Sequence, residues 1–123
     1  MGILKSLFGK GTEKTEQPKI NWISLTEINQ LDDIVKKSNS KYQAIFKHST
    51  RCGISSGVLR QFERQEDTDE IDFYYLDLLS FRSISDEIAT RFGVMHQSPQ
   101  LIVLKDGVVV TQGSHYDIMS LKI

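Results

Sequence analysis

The chain holds one cysteine, Cys52, in the segment Ser49-Thr50-Arg51-Cys52-Gly53-Ile54-Ser55. A thiol attacks a disulfide or another electrophile only as the thiolate, so the first question is what lies around this sulfur. Before it comes a polar turn. After it Ile54, Val58, Leu59 and Phe62 recur at helical spacing. Cys52 is therefore expected where a strand hands over to a helix. The unpaired N–H groups of a first helical turn, and the positive end of the helix dipole, favour a thiolate there. Arg51 adds positive field, and Gly53 loosens the helix start relative to a proline. In such settings a thiol falls from a pKa of ~8.5 to roughly 3.5–7.5. Flanking by Arg51 and Gly53, rather than by apolar residues, argues against an inert buried cysteine.

Ser55 follows Cys52 by three residues, and positions i and i+3 share a helix face. Its hydroxyl is expected to hydrogen-bond the sulfur. An oxygen here cannot close an internal disulfide, so any mixed disulfide on Cys52 must be released to an external thiol. Ser98-Pro99 stands just before an apolar run beginning at Leu101, and proline is allowed at a strand start. His96 leads into that proline and is placed with Arg51, Gly53 and Ser55 among the residues expected to tune the thiolate. His48 reads more simply as a strand-end histidine.

Other chemistries fail on spacing. A Cys-x5-Arg phosphatase loop needs arginine at position 58, which is Val58. His48, Cys52, His96 and His115 are too scattered for a metal site, so no metal is expected. There is no glycine-rich phosphate loop. The net charge of −1 gives no reason to expect a nucleic-acid partner. No stretch approaches the ~18 apolar residues of a membrane span, and a lone cysteine fits a reducing, cytoplasmic setting.

These residues need a scaffold, and the pattern supplies one. Residues 1–19 include the polar, Gly- and Pro-containing stretch Gly9 to Lys19 and read as an N-terminal extension and linker. The domain is expected over 20–123. Residues 21–25 read as a strand. Residues 27–38 read as an amphipathic helix, capped by Thr26 with Asn29 at the capping-box position, its apolar face formed by Ile28, Leu31, Ile34 and Val35. A strand over 42–48, a helix to about Gln65 and an acidic connection, Glu66 to Glu70, follow. Ile71 to Leu79 reads as a buried strand holding Phe73-Tyr74-Tyr75 in the core, with Trp22 also in the core. A third helix is expected from Ser83 or Ser85 to Phe92, closed by Gly93. Leu101–Leu104 and Val108–Val110, joined at Asp106-Gly107, read as a β-hairpin, and a short helix follows through Tyr116, Ile118 and Leu121. The order β-α-β-α-β-α-β-β-α implies a three-layer α/β/α sandwich with a central mixed sheet, parallel in part and antiparallel at the hairpin edge.

Ser49-Thr50-Arg51-Cys52-Gly53-Ile54-Ser55 and Val94-Met95-His96-Gln97-Ser98-Pro99-Gln100 together resemble the two motifs of the monothiol bacilliredoxins, thioredoxin-like proteins of the bacillithiol redox system. The resemblance implies a thioredoxin-like fold and a cis peptide bond before Pro99, with Pro99 facing Cys52. It implies Cys52 as nucleophile, Ser55 at the replaced resolving position, and Ser98 and Pro99 as substrate-binding. It also implies an oxidoreductase that removes bacillithiol, or a related low-molecular-weight thiol, from S-thiolated client proteins, with no bound cofactor and with a reductase as a further partner. Arg51-Cys52-Gly53 departs from the Thr-Cys-Pro usual in the family. Two other readings remain. Cys52-Gly53-Ile54-Ser55 is close to the Cys-Gly-Phe-Ser of monothiol glutaredoxins that carry iron–sulfur clusters, although Ser-Pro-Gln replaces their Thr-Val-Pro. A non-catalytic binding module on the same fold is the other.

Overall fold

Strand alternation sends successive side chains to opposite faces, and this decides the layers. The central strand β2 (Tyr42–His48) points Ala44 and Phe46 to one side and Ile45 and Lys47 to the other. The structure is a computed structural model and describes residues 20–51, 53–65 and 70–121. The extension over 1–19, Cys52 itself and acidic residues 66–69 lie outside the described residues.

The other strands are β1 (Ile23–Ser24), β3 (Ile71–Asp77), β4 (Gln100–Lys105) and β5 (Val108–Ser114), and they form one five-stranded sheet in the order β1-β3-β2-β4-β5. β3 runs parallel to β1 and β2, whereas β4 is antiparallel to both β2 and β5. The sheet is mixed, as the alternation of elements followed by a hairpin requires. The helices are α1 (Gln30–Lys37), α2 (Gly53–Gln65) and α3 (Arg82–Phe92), and a 3-10 helix over His115–Ser120 ends the described chain.

Two apolar clusters sit on the two sheet faces. Leu31 and Ile34 of α1 and Ile84 and Ile88 of α3 pack with Ile45, Leu76, Ile102 and Leu104. On the other face Val58 and Phe62 of α2 and Ile118 of the 3-10 helix pack with Ala44, Phe46, Phe73, Leu101 and Val103. Full burial of each such Leu, Ile or Phe contributes about 1.5–3 kcal/mol. Trp22 lies among Phe46, Phe62, Phe73 and Tyr75, with ring centroids 5.9–6.3 Å away, and its indole N–H donates to Glu63 Oε2 at 2.7 Å.

Two helix starts differ from expectation. α1 begins at Gln30, not at residue 27, and Thr26 does not cap it. Gln30 Oε1 instead accepts the Thr26 and Glu27 N–H groups at 2.7 and 2.9 Å, so a side chain from the first turn folds back over the entry. Asn29 makes no side-chain cap, and Ile28, left in the turn, is 43% exposed. α3 begins after Phe81, not at Ser83 or Ser85. The turn before it is organised by Asp77, whose carboxylate accepts the Leu79 N–H and the Ser80 hydroxyl, so no serine cap is needed. Ser85 is thereby free to face inward.

The Asp106-Gly107 hairpin turn has positive φ at both residues, 54° and 79°, the mirror-image turn that Asp-Gly favours. It is tied to the end of α1. Ser38 O accepts the Asp106 N–H at 2.8 Å, and Ser38 Oγ accepts the Gly107 N–H at 2.8 Å while donating to Val35 O. Ser38 is fully buried. Ser38→Ala strands two backbone groups and is expected to cost about 1–2 kcal/mol. A urea midpoint equal to that of the wild type contradicts this account of the turn.

Candidate active site

The register of β2 against β4 sets Lys47 opposite Gln100. These strands are antiparallel neighbours, so the chain leaving β2 and the chain entering β4 emerge side by side at one end of the sheet. The first is the turn Ser49-Thr50-Arg51 that leads into Cys52; the second is His96-Gln97-Ser98-Pro99. Sheet pairing thus juxtaposes two segments that are more than 40 positions apart in sequence.

The Ser98–Pro99 peptide bond is cis, as the resemblance implied. Gln100 holds the approach to it. Its side chain is buried, donates from Nε2 to Met95 O at 2.9 Å and Gln112 Oε1 at 3.1 Å, and accepts the Gln97 N–H at 3.3 Å. The His115 N–H donates to Pro99 O at 3.0 Å, which ties the turn to the sheet's far edge. Ser98 Oγ is buried and, among the described residues, is the side-chain polar atom left without a hydrogen-bond partner.

Gly53 opens α2, immediately after Cys52 in sequence. Arg51 and Gly53 are both exposed. A Cβ at Gly53 would meet no heavy atom within 4 Å, so the position has open space for a side chain. Ile54 and Met95, 49% and 77% exposed, give each segment one apolar side chain at the surface.

Ser55 is fully buried, and its hydroxyl is engaged with β2: Oγ lies 2.7 Å from His48 Nδ1 and accepts the Ser49 N–H at 3.1 Å. A serine hydroxyl has one proton and two lone pairs, so one donor site or one lone pair remains for a third group, according to the histidine tautomer. Burial pushes His48 below its ordinary pKa, against the opposing charges of Asp77 and Glu63. His48 is thus more than a strand-end residue; it locks the first turn of α2 to β2.

Lys47, the adjacent residue, does the corresponding work on the other sheet face. It is fully buried, donates from Nζ to Ser85 O at 3.3 Å and lies 3.3 Å from His96 Nδ1. Ser85 Oγ is 3.1 Å from the same ring nitrogen. Burial lowers the Lys47 pKa to about 8, against the attraction of Asp86. His96 is held below its usual value by burial, then by Lys47 and Arg82, with Asp86 opposing. His96 is exposed overall, but Nδ1 is turned inward.

Sequence reading passed over Lys47 and treated Ser85 only as a helix cap. The usable signal was alternation: Lys47 falls on the same face as Ile45, inside an otherwise apolar strand. Among the described residues no group of three or more His, Cys, Asp or Glu could hold a metal ion. Among them, too, no helix is long and apolar enough to cross a membrane.

Comparison with known proteins agrees with this geometry. A solved structure whose description assigns it provisionally to the oxidoreductases with a thioredoxin fold is 34% identical. The match has a TM-score of 0.70 and covers 79% of this chain and 85% of that one. Thioredoxin from Malassezia sympodialis superposes with a TM-score of 0.65 at 18% identity, over 89% of this chain and 94% of that one. The long form of thioredoxin f from spinach chloroplast does so with 0.64 at 18%, over 84% and 83%. The latter two show the fold, a thioredoxin-like α/β sandwich. The family model described as monothiol bacilliredoxin BrxC matches residues 23–123. With one cysteine in the chain, a mixed parallel and antiparallel sheet, and a cis-proline turn at the same end of the sheet as the segment Ser49-Thr50-Arg51, the chain belongs to the monothiol bacilliredoxin family of thiol-disulfide oxidoreductases.

Proposed function

We propose that this oxidoreductase removes bacillithiol, or a related low-molecular-weight thiol, from S-thiolated client proteins in the cytoplasm, with Cys52 as its nucleophile. The observation that carries the reading is the Lys47–Gln100 register, which brings the turn leading into Cys52 and the cis-Pro99 turn to the same end of the sheet. A disulfide laid along the second turn then reaches a sulfur presented by the first.

In the first step the Cys52 thiolate attacks the small-thiol sulfur of the client–S–S–thiol adduct. The client sulfur leaves as a thiolate and takes a proton from solvent. Cys52 now carries the small thiol as a mixed disulfide. A second small thiol, as its thiolate, attacks the small-thiol sulfur of that adduct. This restores the Cys52 thiolate and releases a symmetrical small-molecule disulfide, which a partner reductase returns to two thiols. Arg51 and the N-terminus of α2 at Gly53 favour the thiolate. Ser55 holds the turn through its bonds to His48 and Ser49. Ser98 and Pro99 offer their edge to the extended client segment.

Incubation of the reduced protein with a bacillithiolated client is expected to move one small-thiol mass from client to Cys52, read by intact-mass spectrometry. A client adduct that persists beside unmodified Cys52 refutes the proposal.

A further inference from the structure

Lys47 is a fully buried cation on the central strand that the steps above do not use. An ammonium has three donors and no acceptor. Where Lys47 Nζ meets His96 Nδ1 at 3.3 Å, the ring nitrogen must therefore be the acceptor. Ser85 Oγ, 3.1 Å from the same nitrogen, then donates to it as well, the two donors sharing its single lone pair in a three-centre bond. A neutral imidazole whose Nδ1 accepts carries its proton on Nε2. His96 is an exposed residue with Nδ1 turned inward, which leaves the Nε2–H as its outward polar group. It stands three positions before Pro99, on the turn assigned to substrate.

We propose that Lys47 is a positioning residue: with Ser85 it fixes His96 in the Nε2–H tautomer, so that the turn leading into cis-Pro99 presents one oriented N–H donor to the bound mixed disulfide. This inference rests on the dethiolation reading for its consequence, though not for the tautomer. The charged groups acting on His96 are Lys47 from β2 and Arg82 and Asp86 from α3. Their sum is positive, so the donor suits an anionic acceptor, such as a carboxylate of the small thiol.

Three features distinguish this from a structural role for a buried lysine. The donors converge on a ring nitrogen rather than on a carboxylate. The bond to Ser85 O anchors the ammonium independently of His96. The imidazole so fixed is exposed, where core packing does not need it.

The test uses the full chain at pH 7, where Lys47 is charged. Long-range proton–nitrogen NMR on the nitrogen-15 protein is expected to show His96 with a protonated Nε2 and an unprotonated Nδ1. In Lys47→Met the two nitrogens are expected to move toward averaged shifts, and in Ser85→Ala partway. His96→Phe, which removes the donor, is expected to lower kcat/KM on a bacillithiolated peptide about tenfold, chiefly through KM, as for one lost hydrogen bond to a charged group. Lys47→Met is expected to lose part of the same factor, and the double variant no more than His96→Phe alone. A protonated Nδ1 in the wild type overturns the tautomer assignment; wild-type nitrogen shifts in Lys47→Met overturn the positioning role, and Ser85→Ala supplies that arm if Lys47→Met does not fold. Unchanged KM in His96→Phe overturns the donor role. Wild-type protein with no dethiolating activity refutes the function reading instead, and the NMR arm then still decides the tautomer.

Discussion

Cys52→Ser is expected to reduce dethiolation of a bacillithiolated peptide to the uncatalysed rate. The chain has no second cysteine, so no other thiol in it can take over as nucleophile. An alcohol is far less acidic than a thiol and needs an adjacent base to become a nucleophile. The nearest imidazole along the chain is that of His48, and its Nδ1 is already occupied by Ser55. Even an activated oxygen could not form the disulfide that carries the small thiol, because an S–S bond needs sulfur on both sides. The measurement is release of free small thiol from the peptide, with far-ultraviolet circular dichroism to confirm an unchanged fold. Turnover above background in Cys52→Ser would remove Cys52 from the mechanism. The same variant also separates the readings considered from sequence, since a binding module would retain its partners after losing the thiol.

The fold was legible because its determinants are local and periodic. The strands at β2 and β3, the Asp106-Gly107 turn with its two positive φ values, and Gly93 in the left-handed cap position after α3 all follow from residue type and spacing. The helix starts were less legible, because side chains outside the expected cap positions satisfy the entry to each helix. Gln30 folds back over Thr26 and Glu27, and Asp77 arranges the turn before α3 by accepting from Leu79 and Ser80, two and three residues on.

The candidate site divides along the same line. Residues contiguous with Cys52 or Pro99 could be named from the two motifs. The residues that hold those motifs in place could not, because they act across the sheet. Lys47 and His48 are neighbours in sequence yet serve opposite faces: one reaches Ser85 and His96 behind α3, the other Ser55 in α2. Consecutive positions of one strand thus tie down both turns of the site. That relation exists only once β2 is known to lie between β3 and β4. Helical contacts of α3 with the sheet then decide which serine, Ser85, meets the lysine.

Burying Lys47 has a consequence for stability that runs opposite to the usual alkaline loss. Its pKa in the folded protein is about 8, against 10.5 for an ordinary lysine. Between these values the unfolded chain binds the proton and the folded protein does not. Stability therefore rises as pH increases through this window, is complete above 10.5, and is lost again as pH falls through 8. Desolvation is the first cause, and Asp86 offsets only part of it; His96 and Arg82 are the other charged or titratable groups around the cluster. Tyr74, raised to about 12 by burial and the charges of Asp72 and Asp33, works in the opposite sense once pH passes the ordinary tyrosine value of about 10. The clean interval is therefore pH 8 to 9.5. Over it, the unfolding free energy of wild type minus that of Lys47→Met is expected to climb by roughly 1–2 kcal/mol, since each full pH unit of unequal proton binding is about 1.4 kcal/mol. Urea unfolding at half-unit pH steps, followed by Trp22 fluorescence, measures this difference directly. A flat difference across the interval means that Lys47 titrates like a surface lysine. A falling one means that its charge is favoured by the fold, and either result contradicts the lowering of the Lys47 pKa by burial.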